Sequence, residues 1–209
     1  MQRFEELFIR YPELRSCGDE INAAYELLAN CFRQGGKLLI AGNGGSAADA
    51  EHIAGELMKK FMISRPVDAA FAEKLKAVDP VRGAELSENL ERSLPAIPLV
   101  DHESVITAYM NDANAKGVFA QQLLGYGKEN DVFLAISTSG KSENILCAAV
   151  TAKALNLKVL SLTGAGESPL QQLSDVCIRV PETETYKIQE MHLPVYHSLC
   201  MVLEKEFFG

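Results

Sequence analysis

The residues of this 209-residue chain that could do chemistry begin in the stretch AGNGGSAADAEHIAGELMKKF, residues 41–61. His52 and Glu56 are spaced i, i+4, so a helix places them one turn apart on one face. Further along, the stretch YKIQEMHLPVYHSLCMVLEKEFF, residues 186–208, carries Gln189, His192 and His197. Gln189 and His197 lie eight residues apart, about 80° around a helix, and so project from one broad face.

Together these two stretches offer His52, Glu56, Gln189 and His197 as one ligand set. Two imidazoles with mixed oxygen ligands suit zinc or a similar divalent ion, so the sequence predicts a metal site if the two helices meet. The alternative is that these histidines are ordinary hydrogen-bonded core or surface residues.

A second kind of site is predicted in the stretch ISTSGKSENI, residues 136–145. It concentrates four hydroxyl side chains at the start of a predicted helix: Ser137, Thr138, Ser139 and Ser142. Hydroxyls and free amide groups at a helix N-terminus bind anions well, and the helix dipole favours a phosphate. The stretch lacks the GxxxxGK[ST] pattern of nucleotide P-loops, so a small phosphorylated molecule fits better than ATP. Ordinary helix capping is the alternative, although capping needs one such residue.

The elements that must position these residues alternate between helices and short apolar strands. Residues 2–33 have apolar positions at helical spacing, which predicts two helices broken near Pro12. Five strands are expected at 37–42, 96–100, 131–137, 158–164 and 176–181. This alternation is typical of an α/β fold with a parallel sheet between helical layers.

The glycine-rich turn follows the first strand and precedes a helix expected to begin near Ala47. In open parallel sheets ligands bind at the carboxyl ends of the strands, and glycines there allow close approach to the backbone. Ser46 is expected to donate its hydroxyl or to cap the helix. A tight turn without a ligand is the alternative.

Length and composition predict one domain over residues 1–209, with a charged helical insertion at 62–93. The net charge of −8 argues against direct nucleic-acid binding. Five cysteines without CxxC spacing indicate a reduced, cytoplasmic protein. We expect neither a targeting segment nor a membrane span. The C-terminal helix is apolar around much of its circumference, which favours a homo-oligomer.

Five ordered motifs give the chain a marked resemblance to a known family. They are AGNGGSAADAEHIAGEL, ND at 111–112, ENDVFLAISTSGKS, VLSLTG and IQEMHLPVYH. With them the chain resembles the sugar isomerase (SIS) domain family and, within it, the bacterial phosphoheptose isomerases. The resemblance implies a flavodoxin-like three-layer sandwich with a five-stranded parallel sheet, and a homotetramer whose active sites lie between subunits.

The resemblance also implies roles for individual residues. Asn43, Gly44 and Gly45 match the loop that contacts the sugar, and the four hydroxyl residues match the phosphate cradle. Asn111 and Asp112 match a substrate-contacting pair. The ligand set of four matches the family's zinc ligands, and Glu56 and His197 match the acid–base pair.

The function implied is an aldose–ketose isomerase acting on a phosphosugar, with sedoheptulose 7-phosphate as the expected substrate and zinc as cofactor. Some SIS proteins are instead non-catalytic binding modules, including a regulator that associates with a replication initiator. That regulator lacks histidine at the last metal position, where this chain has His197. Departures from the isomerase pattern occur at Tyr186–Lys187, at AADAE after the glycine turn, and at the insertion.

Overall fold

Five short apolar runs form one parallel sheet in the computed structural model, which describes residues 2–209. The strands are β1 (Leu38–Ala41), β2 (Ala96–Pro98), β3 (Val132–Ile136), β4 (Lys158–Thr163) and β5 (Val176–Arg179). Their spatial order is β2-β1-β3-β4-β5, and every neighbouring pair is parallel. All five strands predicted from the sequence are confirmed.

The two faces of the sheet pack into separate hydrophobic clusters. Ile40 and Leu134 point into one cluster, whereas Leu39 and Phe133, their neighbours along the strands, point into the other. Successive side chains of a strand point to opposite faces, so burial on both faces requires a continuous apolar run. This explains why the strands read as unbroken apolar segments in the sequence.

The chain forms ten α-helices within residues 2–209. They are α1 (Glu5–Arg10), α2 (Gly18–Arg33), α3 (Gly45–Met58), α4 (Ala69–Val78), α5 (Pro80–Asn89), α6 (Glu103–Asp112), α7 (Val118–Tyr126), α8 (Glu143–Ala154), α9 (Pro169–Leu173) and α10 (Thr185–Phe208). Short 3-10 segments cover Gln2–Phe4, Pro12–Cys17 and Ala115–Gly117.

The helices divide into two layers. Helices α1, α2, α3 and α10 supply the cluster on one face of the sheet, and α7, α8 and α9 supply the cluster on the other face. The result is the predicted three-layer α/β sandwich with flavodoxin-like strand order.

Strand β2 lies on one side of β1, and β3, β4 and β5 follow on the other side, so the strand order changes direction between β1 and β3. The loop after β1 leads to α3 on one face, whereas the loop after β3 leads to α8 on the other. The two loops therefore diverge and leave a crevice at the carboxyl ends of adjacent strands. Ligands of open α/β sheets bind in such a crevice.

Residues 62–93 contain the helices α4 and α5, which pack against each other. Asp79 separates the two helices, and its carboxylate accepts the amide hydrogens of Val81 and Arg82 as the N-cap of α5. The hairpin buries little of its own apolar surface, since Val78 and Val81 are 88% and 78% exposed. Its stems meet through an antiparallel bridge between Pro66 and Glu91.

Helix α10 continues through Pro194, which is buried. No helix within residues 2–209 combines the length and apolar character needed to cross a bilayer.

Candidate active site

The glycine-rich turn lies at the carboxyl end of β1, as predicted. Gly44 has a φ of +56°, a conformation that side chains with a Cβ rarely adopt, and it is the N-cap residue of α3. The helix begins at Gly45, earlier than the Ala47 expected from the sequence. Ser46 is buried in the first turn and does not cap the helix, which corrects one of the two roles expected for it.

Two asparagines join this turn to the second loop. Asn43 Nδ2 donates to Asn144 Oδ1 at 3.0 Å, and Asn144 Nδ2 donates to Asn43 Oδ1 at 2.8 Å. Both amide groups face each other across the crevice between β1 and β3. Asn144 was not identified from the sequence, because a residue in the first turn of a helix gives no local sign of a partner 101 positions away.

The hydroxyl-rich loop connects β3 to α8. Ser137 is buried at the end of the strand, and its Oγ lies 3.1 Å from Ser142 Oγ. Ser142 is the N-cap residue of α8, but its hydroxyl makes no capping hydrogen bond. Ser139 is exposed and accepts the amide hydrogen of Lys141 at 3.2 Å. The capping alternative for Ser142 is thus not realised, and its hydroxyl faces Ser137 beside the helix N-terminus.

Close packing fixes the shape of this loop. Gly140 has a φ of +61°, and a Cβ at this position would lie 2.2 Å from Ser168 Oγ. The Ser168 hydroxyl is buried and has no hydrogen-bond partner. Any side chain at residue 140 would displace the turn.

Gln189 on α10 reaches the start of α3. A Cβ built on Gly45 would stand 2.4 Å from Gln189 Nε2, so the glycine makes room for the amide. The first turn of α3 therefore contacts the first turns of α10, and the two helices meet as the sequence predicted.

His52, Glu56 and His197 come together further along the same two helices. His52 Nε2 lies 3.3 Å from Glu56 Oε1 and 3.4 Å from His197 Nε2. The rings of His52 and His197 meet edge to face with centroids 4.9 Å apart. Glu56 Oε2 is buried without a hydrogen-bond partner. The structure thus brings three of the predicted residues together, although His52 and His197 are 145 positions apart in the chain.

The surroundings of His197 favour its neutral form. Burial, together with the nearby charges of His52 and Arg10, lowers the pKa of His197, although Glu56 acts in the opposite sense. Neutral imidazole at neutral pH can bind a metal ion or exchange a proton.

Tyr196 and Asp49 surround His52 on its other side. Tyr196 Oη lies 3.0 Å from His52 Nδ1 and donates to Asp49 Oδ1 at 3.3 Å. Burial raises the pKa of Asp49, against the hydrogen bond from Tyr196 and the charge of His52. Neither Tyr196 nor Asp49 was identified from the sequence, although Asp49 precedes His52 by three residues on the same helix.

A buried ion pair ties the two helices together beyond the cluster. Arg65 and Glu204 are both 0% exposed, and Arg65 Nε donates to Glu204 Oε1 at 2.8 Å. The guanidinium also donates to the carbonyls of Leu57 and Glu56 at the end of α3, at 2.7 and 3.1 Å. Burial acts to raise the pKa of Glu204, but the amides of Phe61 and Met62 and the charge of Arg65 lower it overall.

Three other polar residues from the sequence lie elsewhere. Asn111 and Asp112 end α6, are exposed, and hydrogen-bond to each other at 2.8 Å. His192 is fully buried in α10, with its Nε2 3.4 Å from Thr163 O. Burial lowers the pKa of His192 to about 4, so it is a neutral core histidine.

The donor atoms of the predicted ligand set suit a zinc-type ion, and the two imidazoles also have a suitable spacing. Two nitrogens bound to a tetrahedral ion at about 2.1 Å stand about 3.4 Å apart, which is the separation of the two Nε2 atoms. Glu56 places a carboxylate oxygen 3.3 Å from the same His52 nitrogen, and zinc binds both ligand types. Within residues 2–209, however, no three His, Cys, Asp or Glu side chains already converge as a complete metal site.

Two segments of the chain match family models of the SIS domain. Residues 14–97 match one model of the SIS domain, and residues 104–204 match another. The chain is 38% identical over 188 residues to a phosphoheptose isomerase of Campylobacter jejuni, covering 90% of this chain and 87% of the relative. It is 36% identical to a phosphoheptose isomerase of Rhodospirillum rubrum, covering 97% and 93%.

Solved structures agree with these relatives. A phosphoheptose isomerase from Francisella tularensis superposes with a TM-score of 0.75 at 29% identity, covering 98% of this chain and 97% of that one. One from Neisseria gonorrhoeae gives a TM-score of 0.70 at 28% identity, covering 95% and 98%.

Proposed function

Since the chain belongs to the SIS-domain family of phosphoheptose isomerases, we propose that it interconverts a phosphorylated ketose and the matching aldose, with sedoheptulose 7-phosphate as its substrate. The observation that carries this proposal is that His52 lies beside both Glu56 and His197. His52 and Glu56 belong to α3, which begins beside the hydroxyl-rich loop.

The proposed reaction moves one proton between neighbouring carbons. Glu56 takes a proton from C1 of the ketose while His197 gives a proton to the oxygen on C2, which forms an enediol. Glu56 then returns its proton to C2, and His197 recovers one from the oxygen on C1, which leaves the aldehyde. All protons are conserved, and the two side chains end as they began.

The geometry supports this division of roles. Glu56 is partly buried, its Oε2 makes no hydrogen bond, and an ionised carboxylate can accept a proton from carbon. His197 lies on the opposite helix, beside His52. A base and an acid facing each other across a small gap are what an enediol pathway requires.

We propose that His52, Glu56, Gln189 and His197 hold one divalent ion, with zinc as the first choice. Such an ion would stabilise the negative charge that develops on the sugar oxygens. The donor types, the spacing of the two imidazoles and the absence of a hydrogen bond to Glu56 Oε2 support this site.

The distance along α3 suits a long substrate. From Gly45, next to the hydroxyl-rich loop, the helix rises about 10 Å to reach His52. A phosphate bound by Ser137, Thr138, Ser139 and Ser142 would thus be well separated from the reacting carbons. Asn43, Gly44 and Gly45 would contact the hydroxyls between them, and Asn111 and Asp112 remain proposed substrate contacts. A seven-carbon sugar phosphate fits this separation better than a short one.

A non-catalytic regulator is the competing function. It would need neither a paired acid and base nor a ligand set, whereas in this chain His52 lies beside both Glu56 and His197. The geometry therefore favours the enzyme.

We also propose that the protein is a cytoplasmic homotetramer that binds no nucleic acid. None of the residues of α6, Glu103–Asp112, is buried, although Val105 and Met110 are apolar. A helix of this kind gains stability from a partner surface. Within residues 2–209 all five cysteines are free thiols, as a reducing compartment allows.

An assay on purified protein tests the function. Ketose phosphates with five, six and seven carbons are offered with and without a chelator, alongside His197→Ala. We expect turnover of the seven-carbon substrate, loss of turnover on chelation with recovery on adding zinc, and no turnover by the variant. Absence of turnover on every substrate by zinc-loaded wild-type protein would contradict the proposal.

A further inference from the structure

A tyrosine hydroxyl connects His52 to a buried carboxylate on the side of the ring that faces away from Glu56. Tyr196 Oη lies 3.0 Å from His52 Nδ1 and 3.3 Å from Asp49 Oδ1. The Tyr196 side chain is 3% exposed, and its ring meets that of His52 edge to face at 5.5 Å. Both the hydrogen bonds and the ring contact restrict the orientation of His52.

The directions of these hydrogen bonds follow from the groups involved. An ionised carboxylate only accepts, so the single hydroxyl proton of Tyr196 is donated to Asp49. The tyrosine oxygen then accepts from His52, which requires the hydrogen of the neutral imidazole to be on Nδ1. The other nitrogen, Nε2, consequently carries a lone pair and no hydrogen.

That lone pair faces two further atoms that can act as electron donors. Nε2 of His52 lies 3.3 Å from Glu56 Oε1 and 3.4 Å from His197 Nε2. A carboxylate oxygen and an unprotonated nitrogen at this distance repel each other unless a cation or a proton lies between them. The arrangement is therefore prepared for a positive ion.

We propose that Tyr196 and Asp49 are positioning residues that hold His52 in its Nδ1–H tautomer and direct Nε2 into the site as a metal ligand. The inference rests on the proposed function and adds to it the groups that orient one ligand. Metal-bound histidines usually donate their second nitrogen hydrogen to an oxygen partner, and loss of that partner typically weakens metal binding about 10- to 100-fold.

The local sequence makes this arrangement economical. Tyr196 directly precedes His197 on α10, so one turn supplies both a ligand and the hydroxyl that orients another ligand. Asp49 lies one turn before His52 on α3. Each helix thus contributes two of the four proposed ligands and one positioning group.

Zinc affinity of the full chain, measured by competition with a chromophoric chelator, tests the proposal. Tyr196→Phe keeps the ring and removes the hydroxyl, and we expect it to bind zinc about 10-fold more weakly or worse. At saturating zinc, its KM for the phosphosugar should stay within about twofold of wild type, since the hydroxyl-rich loop is unchanged. Tyr25→Phe, which removes a hydroxyl from another fully buried tyrosine on α2, should leave zinc affinity unchanged.

The protonated nitrogen of His52 gives a second readout. Nitrogen-15 NMR of the zinc-loaded protein, with His52 assigned by its loss in His52→Gln, should report the hydrogen on Nδ1 and the metal on Nε2 in wild type. In Tyr196→Phe this preference should be lost. Equal zinc affinity in wild type and Tyr196→Phe, or an Nε2–H tautomer in wild type, would overturn the inference. Failure of wild type to bind zinc would instead reject the proposed metal site and, with it, the inference.

Discussion

The side chains of the hydroxyl-rich loop illustrate how single residues carry the proposed chemistry. Ser142 leaves the N-terminus of α8 uncapped and faces Ser137, so its hydroxyl and the first amides of the helix are available to an anion. These groups are the ones we propose to bind the phosphate of the substrate.

We predict that Ser139→Ala combined with Ser142→Ala weakens phosphosugar binding at least about tenfold, because each loses a hydrogen bond to a charged group. Calorimetric titration and KM measure the effect. Ser87→Ala in α5, which loses only a bond to the Ala84 carbonyl, is the matched control. Affinity equal to wild type in the double variant would refute the phosphate site.

Some site residues were recognisable from the sequence and others were not. His52 and Glu56 could be found because a helix turns their spacing into proximity, and the serines because they cluster within six positions. Tyr196, Asn144 and Arg65 act through partners far away in the chain, and no local pattern marks such partners. Glu204 gave only a weak signal, as a charged residue on the apolar part of α10.

At the scale of elements, the relation between α3 and α10 decides whether the site exists. Arg65 binds the carbonyls at the end of α3 and the carboxylate of Glu204, seven residues beyond His197 on α10. Glu204 also accepts three amides, of Phe61, Met62 and Ile63. This pair therefore holds the helix bearing Glu56 against the helix bearing His197.

We predict that Arg65→Met lowers the free energy of unfolding by about 3–5 kcal/mol, because it leaves the buried charge of Glu204 without its partner. Chemical denaturation at one protein concentration measures the loss. Lys76→Met, which breaks an exposed pair with Glu73 on α4, should cost less than about 1 kcal/mol. Similar losses in both variants would show that the buried pair does not hold the helices.

His192 should make the docking of α10 sensitive to acid. Burial lowers its pKa from 6.5 to about 4, so the unfolded chain binds a proton more readily than the folded one. The contribution of neutral His192 is fully present above pH 6.5 and is lost as pH falls from there towards 4. We predict a loss of about 2 kcal/mol between pH 7 and pH 5 that is absent in His192→Leu. Identical pH dependence in both proteins, measured by denaturant unfolding, would contradict this assignment.

At the scale of the molecule, the strands were predictable and the surroundings of the site less so. Strands buried on both faces are continuous apolar runs, which the sequence displays directly. The exact start of α3 was missed by two residues, because a glycine N-cap leaves no side-chain signal. The position of α6 relative to the site depends on tertiary packing, which periodicity does not encode.

Exposed apolar surface predicts assembly. Val105 and Met110 on α6 and Leu193 on α10 are 42%, 51% and 40% exposed. We expect light scattering at micromolar concentration to give a homo-oligomer, most simply a tetramer of the 22.8 kDa chain. Val105→Lys together with Met110→Lys should lower the mass, whereas Val78→Lys on α4 tests whether the insertion takes part. A wild-type mass of one chain would refute the prediction.

Proton transfer at carbon is the central claim, and isomerisation in D₂O tests it most directly. Zinc-loaded protein is incubated with sedoheptulose 7-phosphate, and the product is followed by proton NMR. We predict an aldose 7-phosphate that carries deuterium at C2, because the base exchanges its proton with solvent. Glu56→Gln should lower the rate at least about 1,000-fold and retain phosphosugar binding. Formation of no aldose by wild type, or equal rates in wild type and Glu56→Gln, would contradict it.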